Sequence, residues 1–193
     1  SEMCIRDSIY TPRKNRNSII GETMEKRNVT VSAIVAAIVL IGDQLSKHWA
    51  ETWLRTNGEY KIWDGVLHLR YVENRGAAFG MMQGGKWFFL AITGIACAAM
   101  LYFLIKERKR LHFMMTFSLA LLLSGAIGNL IDRVALGYVR DMIYVALIDF
   151  AVFNVADMAV TVGCCLLVLD LLFFKGKKYM EMMDKKPQTG ENS

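Results

Sequence analysis

LHFMMTFSLALLLSGAIGNLIDRVALGYVRDMIY, Leu111–Tyr144, opens with an uninterrupted apolar run and closes on a cluster of charges. Leu111–Ile131 contains no Asp, Glu, Lys or Arg, and it reaches the roughly 20 residues needed to cross about 30 Å of hydrocarbon. A helix of that length in a globular core would keep a polar face. This one mostly lacks such a face until Asn129, Asp132 and Arg133, and the chain then continues through Arg140 and Asp141. Charge at that depth is expensive and marks a functional site by default.

Three further stretches share the apolar character. Trp87–Ile105 is free of charge, Val29–Gly42 is uncharged and continues through mixed sequence to Leu54, and Met158–Phe174 holds one acid, Asp170. Hydrophobic residues make up 54% of 193, and they are gathered into spans rather than scattered through a core. The expected fold is therefore an all-α membrane protein. Four transmembrane helices form a bundle, joined by a small extracytoplasmic strand-and-loop element and a short interfacial segment.

The formal net charge of +5 is not a nucleic-acid signal, because the basic residues lie in short runs beside the spans. Lys26 and Arg27 precede the first span, KERKR (Lys106–Arg110) separates the second from the third, and KGKK (Lys175–Lys178) follows the fourth. Four crossings put all three on one side, and the excess of Lys and Arg makes that side the cytoplasm. The connection Ala50–Lys86 also holds five Lys or Arg, diluted by four acids. Both termini are expected in the cytoplasm, with the protein multi-pass in its membrane.

The domain reading has three parts. Residues 1–23 lack periodicity and precede MEKRNVTV, so they are set aside as a non-native or disordered extension. Residues 24–178 form the membrane domain. Residues 179–193, charged and containing Pro187, form a disordered tail. Of the four cysteines, Cys97, Cys164 and Cys165 lie in apolar spans, where Cys behaves as a small hydrophobe. No disulfide framework or thiol nucleophile is expected.

With this topology the polar residues collect at one level. Asp43 lies about 21 Å along its helix from Val29 at 1.5 Å per residue, and Lys47 one turn further. Asn129, Asp132 and Arg133 end the third span, and Asn154 and Asp157 begin the fourth. All seven belong to the outer leaflet. Each also has a plain structural reading. Asp43 and Lys47 are an i,i+4 ion pair. Asn129 is interhelical glue, Arg133 snorkels to the headgroups, and Asn154 caps a helix with Asp157 closing the box. Asp141 has the weakest such reading, lying past any helix cap, whereas Asp149 reads as a loop acid in water. Met142–Phe153 is apolar apart from Asp149 and suggests a piece folded back along the membrane surface, which would bring Asp141 towards Asp157.

The outer connection adds GVLHLRYV, Gly65–Val72, a strand by composition. ENRGAAFGMMQGGK follows, with Gly76, Gly80, Gly84 and Gly85. A loop this long suits a lid or a peptide-binding edge.

Two carboxylates at a dry interface cannot both ionise and so share a proton. One takes a proton from water while the other, protonated, polarises a carbonyl or later protonates the leaving amine. That is aspartic peptidase chemistry. It requires no metal or other cofactor, and His48, His68 and His112 have no ligand spacing. Ser46 and Lys47 are adjacent on a helix and point apart. The rival is a small proton-coupled transporter, which would carry polar residues along a whole crossing.

Five motifs occur in order: DQLSK (Asp43–Lys47), NRGAAFG (Asn74–Gly80), SGAIGNLIDR (Ser124–Arg133), VRDMI (Val139–Ile143) and FNVAD (Phe153–Asp157). Together they resemble the lipoprotein signal peptidase family, signal peptidase II, over about Met24–Lys178. The resemblance implies a catalytic pair at Asp141 and Asp157. It implies supporting or substrate-contacting roles for Asn74, Asn129, Asp132, Arg133 and Asn154, and it matches Asp43 and Lys47 to a recurrent polar pair. It implies a prolipoprotein substrate whose cysteine carries diacylglycerol and is cleaved just before that cysteine, in contact with membrane lipid. A monomer is expected.

Overall fold

In the computed structural model the described residues are 16–76 and 86–174. Helix α1 (Arg16–Trp49) runs into a π-helical turn at Ala50–Leu54 and a last turn at Arg55–Asn57. Gly58, at φ +81°, ends it in a conformation that a side chain would resist. Strands β1 (Tyr60–Trp63) and β2 (Leu67–Asn74) follow, then helices α2 (Lys86–Glu107) and α3 (Phe113–Ala135). Strand β3 (Val139–Val145), a short 3₁₀ turn at Ala146–Ile148 and helix α4 (Val155–Phe173) complete the order. Among the described residues, four helices are long and apolar enough to cross a membrane, as the sequence predicts.

Helix α3 is central and packs against α1, α2 and α4. Without a hydrophobic driving force inside lipid, helices associate through close packing of small residues. At Gly125 an added Cβ would lie 2.4 Å from the Ala156 carbonyl oxygen, so the backbones of α3 and α4 nearly touch. Gly163 meets the Ser118 carbonyl oxygen in the same way, at 2.9 Å. Towards the other end, Leu111, Met115 and Leu119 form an apolar cluster with Phe103, Leu104, Leu167 and Leu171.

The strands form one antiparallel sheet, ordered β1-β2-β3. The strand expected at Gly65–Val72 is β2, displaced to Leu67–Asn74. The interfacial segment expected at Met142–Phe153 is a strand for its first part, because Leu67, His68 and Leu69 supply hydrogen-bonding partners to Val145, Tyr144 and Ile143. Its apolar remainder is short, with Leu147, Ile148 and Phe150 exposed. Met142 packs with Ala50 and Leu54 under the sheet and fixes β3 to the end of α1. Arg16–Thr23, expected to stand outside the fold, continue α1. KGKK, the tail at 179–193, and Gly80, Gly84 and Gly85 lie outside the described residues.

Candidate active site

Strand β3 and helix α4 bring the two acids together. β3 pairs with β2 so that Asp141 lies opposite Val72 and Val139 opposite Asn74. Asn74 is thus the diagonal neighbour of Asp141 on the same face, and its Nδ2 donates to Asp141 Oδ2 at 3.0 Å. Beyond β3 the chain doubles back. Phe153 exchanges backbone hydrogen bonds with Ile143, at 3.0 and 2.8 Å, and delivers Asn154 beside Asp141.

Asn154 caps α4. Its Oδ1 accepts from the Asp157 amide at 3.0 Å, and its own amide donates to Asp157 Oδ2 at 3.2 Å. This is the capping box expected from the sequence. The Asn154 side-chain amide also reaches the other acid. Its Nδ2 donates to Asp141 Oδ1 at 2.6 Å and approaches Asn129 Oδ1 at 3.1 Å. One residue therefore touches both acids, and the cap and the site are the same structure.

Asn129 completes the link. Lys47 Nζ, which can only donate, approaches Asn129 Oδ1 at 2.9 Å. That fixes which end of the amide is oxygen, so Nδ2 is left to donate to Asp157 Oδ1 at 2.7 Å. Asn129, read above as interhelical glue, does join helices, but it joins them at the acid. Lys47 is fully buried, and its ammonium also meets Asp43 Oδ2 at 2.8 Å. Asp43 Oδ1 in turn accepts from the Ala156 amide in the first turn of α4 at 2.9 Å. A charge beneath the bilayer surface is tolerable only with such partners.

Asp132 stands behind this layer, 3.7 Å from Lys47 Nζ and bonded to Arg140. Arg133 does not simply snorkel. Its Nη2 donates to the Gly76 carbonyl at 3.3 Å, and its guanidinium lies 5.2 Å from the centre of the Phe89 ring. Gly76 also donates its amide to Asn74 Oδ1 at 3.0 Å, so Arg133 and Asn74 hold the same end of β2.

The acids line one pocket of about 520 Å³. Asn74, Asn129 and Arg133 form its polar wall, and Phe150, Phe153, Met158 and Val162 the apolar one. Burial, and next the negative charge of Asp157, push the Asp141 carboxyl up to about 7, against the pull of the Asn74 and Asn154 amides and of Lys47. Asp149 is remote from this chemistry: it takes the Tyr144 hydroxyl at 2.5 Å and occupies the left-handed region, at φ +46°. No cluster of three or more potential metal ligands occurs among the described residues.

Arg140, Gln44 and Glu51 escaped the sequence reading. Arg140 stands in VRDMI beside Asp141, and its charge next to that acid is the one signal the sequence offers.

The family described as Signal peptidase (SPase) II matches residues 35–173. The lipoprotein signal peptidase of Streptococcus thermophilus (strain CNRZ 1066) is 46% identical over 142 residues, covering 73% of this chain and 92% of that protein. The lipoprotein signal peptidase of Symbiobacterium thermophilum is 40% identical over 149 residues, 76% and 97% of the two chains. A bacterial membrane enzyme solved by the in meso method at 2.3 Å resolution superposes with a TM-score of 0.69 at 33% identity, covering 84% of this chain and 95% of its own. A second, at 1.9 Å, gives 0.67 at 35% identity, covering 75% and 94%.

Proposed function

The chain belongs to the signal peptidase II family, and from that premise we propose that Asp141 and Asp157 are the catalytic pair of an aspartic endopeptidase. Signal peptidase II activity makes the protein a protease of lipoprotein processing, multi-pass in a membrane. The proton-coupled transporter finds no support beside that family. The observation that carries the aspartic reading is the placing of two acids, from β3 and α4, on one pocket wall and on a single chain of amides.

The chemistry follows from the shared proton. One carboxylate removes a proton from water, and the resulting hydroxide attacks the scissile carbonyl carbon. The protonated partner gives its proton to the carbonyl oxygen. Collapse of the tetrahedral intermediate breaks the C–N bond: the leaving nitrogen takes the proton that the first carboxylate removed from water, and the second carboxylate takes back a hydroxyl proton as the carbonyl re-forms. The products are a peptide carboxylate and a free amine. Asn74, Asn129 and Asn154 hold the carboxyl groups in place, and Asp43 and Lys47 hold Asn129. Asp132 braces β3, and Arg133 fixes the pocket rim beside the substrate.

The substrate is a prolipoprotein bearing diacylglyceryl-cysteine, cut just before that cysteine. The apolar pocket wall of Phe150, Phe153, Met158 and Val162 suits the signal segment and the lipid. The site faces the extracytoplasmic side of the bacterial inner membrane, with both termini in the cytoplasm. Lys26, Arg27 and the Lys106–Arg110 run, at the far end of the helices from the site, support that orientation. The working unit is residues 24–178 of a monomer.

The test is cleavage of a diacylglyceryl-modified prolipoprotein by purified protein in detergent. Wild type should release the signal peptide, and Asp141→Asn and Asp157→Asn should each lose roughly 10²–10⁴-fold. Wild-type turnover in either folded variant would reject the dyad.

A further inference from the structure

The amide and guanidinium of Arg140 make five hydrogen bonds, none of them to a residue that lines the pocket. Its amide and Nε donate to Asp132 Oδ2 at 3.0 and 3.1 Å, and its Nη2 donates to Asp132 Oδ1 at 2.8 Å. Nη1 reaches Glu51 Oε2 at 2.9 Å and Nη2 reaches Gln44 Oε1 at 3.2 Å. Its carbonyl oxygen, in the peptide bond to Asp141, lies 3.5 Å from Asn154 Nδ2. One side chain thus ties strand β3 to α1 and α3 immediately before the acid, using the planar fork that Arg alone offers.

The same contacts govern Lys47. Asp132 is fully buried, and both of its oxygens are taken by Arg140. Lys47 Nζ therefore stays 3.7 Å from Asp132, within hydrogen-bonding distance of Asn129 and Asp43 instead. Without Arg140 the nearest cation to Asp132 is Lys47, and a buried carboxylate stripped of its partner draws whatever charge it can. Lys47 would swing towards Asp132 and release Asn129, whose amide orients Asp157.

We propose that Arg140 is a positioning residue for the peptidase reaction: it locks the β3 backbone at Asp141 and, by occupying Asp132, keeps Lys47 on Asn129. The proposal rests on the aspartic reading of the site. It assigns Arg140 no contact with substrate.

The charged groups around this centre are Asp43 and Lys47 on α1, Glu51 in the π-helical turn after it, Glu73 on β2, Asp132 and Arg133 on α3, and Asp157 on α4. Lys47 lowers the proton affinity of Asp141. Its departure would let Asp141 keep its proton to higher pH, so the rising limb of the pH–rate profile should move upward.

The experiment measures kcat, KM and the pH–rate profile for cleavage of the lipidated precursor by full-length protein in detergent. Arg140→Gln should lose roughly 10²-fold in kcat, the scale of a small misplacement of a reacting group, with KM nearly unchanged. Its rising limb should shift to higher pH. Arg140→Lys restores the charge but not the fork, so it should return the limb towards wild type while kcat recovers only in part. Glu51→Gln removes a partner at the partly exposed edge and keeps the test usable if Arg140→Gln fails to fold. It should lower kcat several-fold, and the Arg140→Gln/Glu51→Gln double variant should be no worse than Arg140→Gln alone. Wild-type kcat and an unmoved profile in folded Arg140→Gln, or in Glu51→Gln if that variant must serve, would overturn the proposal. So would a loss confined to KM. Asp141→Asn run alongside separates the two claims: if it cleaves normally the dyad reading falls, and if it is inactive while Arg140→Gln is normal, only the role of Arg140 falls.

Discussion

Helix α4 carries an acid near each end, Asp157 in its first turn and Asp170 in its last, roughly 20 Å apart along the axis. Both face the bundle rather than lipid, yet their surroundings differ in kind. Asp170 is fully buried, and its Oδ1 meets His112 Nε2 at 2.8 Å. It joins the start of α3 to the end of α4 beside the Leu111–Met115–Leu119 cluster, and it does not line the site pocket. Asp157 is only half-buried, is held by amides rather than by a cation, and lines the pocket of about 520 Å³. The difference teaches that a buried acid in a membrane span signals a role without saying which. On the proposed reading, access and a neighbouring acid make one end reactive, while a single matched partner makes the other end a clasp.

If the pocket end holds an acid against its ionisation, stability should show it. The folded Asp141 carboxyl is raised from its ordinary 3.8 to about 7, so the stability it contributes is complete below about pH 4 and is lost as pH rises through 7. Asp141→Asn has nothing to ionise. Its thermal midpoint should match wild type near pH 4 and exceed it at pH 8, by an amount reflecting a few kcal/mol. Equal midpoints at both pH values would remove the stored strain from the comparison.

Gly128 sharpens it next. A Cβ there would lie 2.6 Å from Asp43 Oδ2 and 3.2 Å from the Ala156 Cβ. Gly128→Ala should cost about 1–3 kcal/mol by overpacking and reduce cleavage, because Asp43 must leave Lys47 or the α4 amide. Denaturation and turnover together would check this.

At the clasp, Asp170→Asn should lower stability by about 1–2 kcal/mol, the worth of a hydrogen bond to a charged or polarised partner, as read from the thermal midpoint. Smallest of all, Asp149→Asn should change stability by under about 0.5 kcal/mol and leave cleavage at the wild-type rate. Asn keeps an acceptor for Tyr144 and tolerates the left-handed conformation.

The helices were legible in the sequence because hydrocarbon imposes a length and forbids charge, and Trp87–Ile105 and Leu111–Ile131 obey both rules. The site residues were legible for the complementary reason: Asp43, Lys47, Asp132 and Asp157 break the second rule at one level, and the polar Asn129 lies among them. β2 was visible from its β-branched and aromatic residues. β3 was not, since its partners in β2 lie some 70 positions earlier and its apolar run reads equally as an interfacial segment. The role of Arg140 is not legible because Glu51 lies 89 positions away and Asp132, though only 8 away, meets it only once the chain turns from α3 into β3. The His112–Asp170 pair was missed for the same reason. Pairings between distant segments depend on how the helices dock, and local pattern does not carry that.

The most direct test of the catalytic pair compares the two ends of α4 in one assay. Purified Asp157→Asn and Asp170→Asn would each be given a diacylglyceryl-modified prolipoprotein, with turnover expressed per folded molecule. Asp157→Asn should be folded and inactive, while Asp170→Asn should be less stable and cleave at the wild-type rate. Activity retained in Asp157→Asn, or abolished in folded Asp170→Asn, would contradict the division of roles between the two acids.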